Sequence, residues 1–103
     1  MSSKQTPKED IISLHQDNIH APSYYNVMMH NDDFTPFDFV VQLLVTVFFK
    51  NEKEAYSIAQ LIHKTGMQVV GCYPLDIAET KVHKATYMAR RNEFPLRCSI
   101  EPA

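Results

Sequence analysis

A chain of 103 residues holds one domain, and 45% hydrophobic residues supply enough apolar surface for a true core. A net charge of −2 and a pI near 6.2 argue against the basic face of a nucleic-acid binder. No apolar run approaches the roughly 20 residues that span a bilayer, and the longest, Phe37 to Phe49, is interrupted by Asp38 and Gln42.

Residues 1–23 are polar, carry Pro7 and Pro22, and contain one short apolar cluster, Ile11, Ile12 and Leu14. With no second apolar repeat to dock it, this segment is expected to be a flexible N-terminal extension, leaving 24–103 as the folded core domain. The opening residues lack the apolar stretch of a secretory signal, so a cytoplasmic location is expected.

From Tyr24 the pattern changes. Tyr25, Val27 and Met29 alternate with Asn26, Met28 and His30, the period of a β-strand. Thr35-Pro36-Phe37-Asp38 then offers a capping hydroxyl, a proline at the first helical position and an acid two residues on. The helix that follows is expected to run to about Phe49. Its polar residues Asp38, Gln42 and Thr46 form one narrow stripe, so the domain should pack around it.

Asn51 and Glu54 repeat the capping arrangement, and Ala55, Ile58, Ala59 and Ile62 recur at helical spacing before a stop at Gly66. A connection of one or two residues would make these two helices an antiparallel hairpin. Met67 to Tyr73 is a second strand, ended by Pro74. Asp76 and Glu79 mark a third cap, opening a helix with the stripe Ala78, Val82, Ala85 and Ala89. A last strand places Leu96, Cys98 and Ile100 on one face. The order β-α-α-β-α-β predicts a small α+β domain, a three-stranded antiparallel sheet backed by three helices.

Cys72 and Cys98 fall in strand-like segments with no Cys-x-x-Cys pair, which gives no zinc or redox motif. Both are expected as buried, reduced thiols, and a disulfide would require their strands to be neighbours.

The candidate chemistry gathers at Asn31-Asp32-Asp33, between the first strand and the first helix. These residue types also suit an ordinary polar turn, because their side chains bond their own backbone. Yet two adjacent acids repel, and apolar neighbours make them costly to cover without a cationic partner. His63, in the last turn of the second helix, interacts favourably with that helix end wherever it points. It also borders the apolar stripe, and a helix folded back on the first would bring it towards the acidic turn. A small hydrolase or metal-binding protein using His63 with Asp32 and Asp33 is the alternative, His30 being a further ligand for a metal. No nucleophile stands in a Gly-flanked turn, and no His-x-x-x-His gives the metal set specificity.

In order along the chain stand Tyr25-x-Val27, Asn31-Asp32-Asp33-Phe34-Thr35-Pro36, Phe39-Val40-Val41, His63-x-x-Gly66, Ala78-Glu79-Thr80-Lys81 and Pro95-Leu96-x-Cys98-x-x-Glu101. Together, over roughly residues 24–102, these blocks resemble the ClpS family. Its members are adaptors that bind N-degron substrates and deliver them to the ClpA-ClpP protease. The resemblance implies a fold similar to the C-terminal domain of the ribosomal stalk protein, no catalysis and no cofactor. It implies that Asn31, Asp33 and His63 clamp a substrate's free α-amino group, with Asp32 adding negative potential nearby. Met29, Thr35, Phe37, Val40, Ala59, Ile62 and Leu96 would line a pocket for a large apolar first residue, Leu, Phe, Tyr or Trp. Asp76, Glu79 and Lys81 would contact the N-terminal domain of a ClpA-type AAA+ unfoldase, and residues 1–23 would be the extension that the unfoldase engages. The partners so implied are the unfoldase and degron peptides, with no nucleic acid, no membrane and a monomeric adaptor. Two positions depart from the family, which often has Met at both. Phe37 would narrow or re-angle the pocket mouth, and Ala59 would remove bulk from its wall.

Overall fold

Strand β1 (Tyr24–His30) is the middle of a three-stranded antiparallel sheet, between β2 (Met67–Pro74) and β3 (Arg97–Pro102). The computed structural model describes residues 23–103. The expected N-terminal extension therefore lies outside the described residues, apart from Ser23. Helices α1 (Phe37–Thr46), α2 (Glu52–Thr65) and α3 (Leu75–Arg91) complete the expected β-α-α-β-α-β order. No helix among the described residues is long and apolar enough to cross a membrane.

Alternation decides which face of the sheet is covered. Val27 and Met29 are fully buried against Val70, Leu43, Leu44, Ala85 and Ala89, so their side of β1 meets the helices. Helix α3 lies across all three strands and can approach closely because its inner stripe is alanine: Ala78, Ala85 and Ala89. Helix α1 packs against α2, and α2 against the edge strand β2. A bulge in β2 lies opposite Val27 and Met28, and the ring of Tyr73 folds over Gly71, where a Cβ would collide with it.

Helix α2 follows its sequence signals closely. The Asn51 side chain accepts a hydrogen bond from the Glu54 amide at 2.8 Å, and Gly66 closes the helix with φ +94°. Three local expectations need correction. Thr35 does not cap α1, because its hydroxyl donates to Asp32 instead. Helix α1 ends at Thr46, and a turn through Val47 and Phe48 lengthens the connection to α2. Phe49 there adopts φ +57°, and the Lys50 amide donates back to the Leu44 carbonyl. Asp76 is not the cap of α3 either; the helix already starts at Leu75, behind Pro74, so Asp76 lies within its first turn.

The cysteines also differ from expectation. Both are free, but Cys72 is exposed, on the sheet face away from the helices. Cys98 is paired with Met29 on the helix side, where burial pushes its thiol up to about 11. With β1 between their strands, the condition for a disulfide is not met.

Candidate functional site

The turn after β1 is organised by Asp32. Its Oδ1 accepts from the amides of Phe34 and Thr35, at 2.8 and 2.7 Å, and its Oδ2 accepts from the Thr35 hydroxyl at 2.8 Å. Burial alone would raise this carboxyl, but those donors, with a smaller attraction from Arg90, hold its pKa below the ordinary carboxylate value. Asp32 thus serves its own turn, whereas Asn31 and Asp33 beside it are exposed.

The backbone of the same turn is tied to the end of α2. The Asn31 amide donates to the Gly66 carbonyl at 2.9 Å. His63 stands three residues before Gly66 on the last turn of that helix, exposed like Asn31 and Asp33. The link brings His63 to the acidic turn, and a cavity of about 340 Å³ lies between them.

That cavity is lined by Asn31, Asp32, Asp33 and His63 together with Thr35, Phe37, Val40, Ala59 and Ile62. Acceptor groups therefore share one hollow with apolar walls from α1 and α2. Its volume, near the lower end for ligand sites, suits a single side chain and its backbone head better than a large cofactor. Met29 and Leu96 do not reach its surface; at 0% and 2% exposure they lie in the core beneath. Spacing along a strand reports which face a residue takes, not its depth behind that face.

The grouping proposed for a metal is not assembled. His30 points to the other side of the sheet, where its Nε2 is 2.7 Å from the Ser99 hydroxyl. Burial and the positive charge of Arg97 pull its pKa below the usual imidazole value. Among the described residues, no three His, Cys, Asp or Glu side chains are grouped to hold an ion.

The second predicted patch is separate. Asp76 and Glu79 are exposed on the first turns of α3. Lys81 is half-buried, and its ammonium donates to the Val47 carbonyl at 2.6 Å while lying 3.9 Å from the centre of the Phe49 ring. Burial, with repulsion from Lys84, lowers its pKa. Phe49 itself is 77% exposed, a large apolar surface beside a held cation.

Two residues near these sites carry no motif signal. Phe49 is one. The other is Tyr56, whose ring meets Phe37 edge-to-face at 5.2 Å and 77°. Its spacing from Ala59 and His63 puts all three on one side of α2, which is the one sequence cue that could have marked it.

Comparison with known proteins finds clear relatives of the chain. The family model described as "ATP-dependent Clp protease adaptor protein ClpS" matches residues 20–99. The ATP-dependent Clp protease adapter protein ClpS of Syntrophus aciditrophicus is 45% identical over 86 residues, covering 84% of this chain and 80% of that protein. The protein of the same name from Shewanella loihica is 49% identical over 82 residues, 80% of each chain. A solved structure of Agrobacterium tumefaciens ClpS2 bound to L-phenylalaninamide superposes with a TM-score of 0.78 at 38% identity. It covers 81% of this chain and 100% of its own.

Proposed function

This chain belongs to the ClpS family of ATP-dependent Clp protease adaptors, and we propose that its cavity binds the first residue of N-degron proteins. The substrates are chains beginning with Leu, Phe, Tyr or Trp and a free α-amino group, handed in the cytoplasm to a ClpA-type unfoldase for degradation by ClpP.

The observation that carries this reading is the composition of one hollow. A protonated amine presents three donors and one positive charge, so it needs acceptors and negative potential around it. The side chain on the same Cα needs an apolar recess immediately beside them. Asn31, Asp33 and His63 meet the first need; Phe37, Val40, Ala59 and Ile62 meet the second. The compound bound in the Agrobacterium relative has both features, a free amine and a benzyl side chain, which supports carrying the reading to this chain.

Each group then has a role. The Asp33 carboxylate supplies charge to the ammonium, and the Asn31 amide oxygen accepts one of its protons. A ring nitrogen of His63 accepts a further hydrogen bond from it. Asp32 keeps the turn in shape through its bonds to Thr35 and Phe34, and adds potential without needing to touch the ligand. The walls select by shape, where one methylene is worth roughly 1–3 kcal/mol.

Delivery is assigned to the second patch, with Asp76, Glu79 and Lys81 meeting the N-terminal domain of the unfoldase. A degradation assay with purified ClpA and ClpP separates the two surfaces. The chain is expected to accelerate loss of a Phe-starting reporter. Lys81→Ala should abolish that acceleration while leaving binding of a Phe-starting peptide intact. Unchanged acceleration by Lys81→Ala would remove Lys81 from the delivery surface.

A further inference from the structure

Phe37 lines two hollows at once. One is the cavity of about 340 Å³ beside the acidic turn. The other, about 760 Å³ and more open, runs over the outer side of α2 along Tyr56, Gln60, Leu61 and Lys64. Phe37 and His63 are the residues common to both, so the Phe37 ring forms part of the partition between them.

A partition needs a brace. Phe37 is the first residue of α1, behind Pro36, and its ring is only half-buried. Ala59, which lines the same cavity, carries only a methyl group with which to support the ring. The brace comes from one turn earlier on α2, where Tyr56 meets Phe37 edge-to-face at 5.2 Å. Tyr56 is itself 52% exposed, so a role in the buried core does not explain a large aromatic residue there.

We propose that Tyr56 is a positioning residue for first-residue selectivity: it fixes the Phe37 ring as the partition and thereby sets the width of the degron pocket. This rests on the degron reading above. Without Tyr56 the Phe37 ring can tilt towards the outer hollow, and the pocket gains room in the direction that the largest side chain, that of Trp, requires. An edge-to-face pair requires only the aromatic ring, so phenylalanine at this position should suffice.

The test measures anisotropy of labelled peptides starting with Leu, Phe or Trp on the full chain and on Tyr56→Ala and Tyr56→Phe. In Tyr56→Ala, affinity for the Trp-starting peptide should rise relative to the Leu-starting one, on the order of 2- to 10-fold, the range expected for losing one aromatic pair. Tyr56→Phe should restore the original ranking. An unchanged ranking in Tyr56→Ala, or an equal loss for every peptide, overturns the proposal. A second readout does not depend on peptides. The Phe37 ring resonances should shift in Tyr56→Ala and return in Tyr56→Phe, and ring signals that stay put in Tyr56→Ala overturn the bracing itself. Should wild type bind free and N-acetylated peptides equally, the degron reading fails, while the ring resonances still decide whether Tyr56 braces Phe37.

Discussion

The amide of Asn31 donates to the carbonyl of Gly66 at 2.9 Å, joining the turn after β1 to the end of α2. This backbone bond links the acidic turn to the helix end bearing His63. It needs Gly66 in the left-handed region, φ +94°, which a residue with a Cβ adopts at a cost.

Gly66→Ala tests that joint. Nothing lies within 4 Å of the position a Cβ would take, so the penalty is conformational and not a clash. A loss of about 1–2 kcal/mol is expected in urea unfolding, the cost of the left-handed conformation in an L-residue. Peptide affinity should fall as well, because Asn31 and His63 lose their common anchor. Unfolding at the wild-type midpoint would show that the bond carries little.

Asp33→Asn separates charge from shape. The residue is exposed, and among the described residues no hydrogen bond of its side chain is seen, so the circular dichroism spectrum and melting point should stay close to wild type. Binding of a Phe-starting peptide should weaken by roughly 10- to 100-fold, as for the loss of one charge-assisted hydrogen bond. A collapsed spectrum would instead make Asp33 part of the fold.

Asp32 should behave in the opposite way. Its folded-state pKa is held below the ordinary value, so its contribution to stability is complete above the unfolded-state pKa. That contribution is lost as pH falls through the folded value. Asp32→Asn should therefore lower the melting temperature at neutral pH, and the gap from wild type should close in acid, below about pH 4. A gap that persists at the lowest pH would mean that the carboxylate charge is not what holds Thr35 and Phe34.

How much of this was legible in the chain depended on how local each signal was. Asn51 and Gly66 bound α2 as their residue types predict, because a cap and a left-handed stop are settled within four residues. Thr35 misled because Asp32, three residues earlier, competes for the same hydroxyl, and a pattern cannot say which acceptor wins. The left-handed Phe49 has no signal at all, since a bulky aromatic is among the last residues expected there. At the site, the family resemblance named Val40, Ala59 and Ile62, which line the cavity, but also Met29 and Leu96, which are buried in the core. The convergence of His63 with Asn31 depended on a long-range hydrogen bond, and the Tyr56 brace on the particular ring at Phe37.

The claim that this cavity holds a protonated amine is tested most directly with two peptides that begin with the same phenylalanine. One carries a free α-amino group and the other is N-acetylated, so side chain and sequence are identical while charge and donors differ. The free peptide should bind saturably in an anisotropy titration. The acetylated copy should bind on the order of 100-fold more weakly or not at all, having lost the ammonium that Asn31, Asp33 and His63 receive. Equal affinity for the two would contradict an amine clamp at this turn.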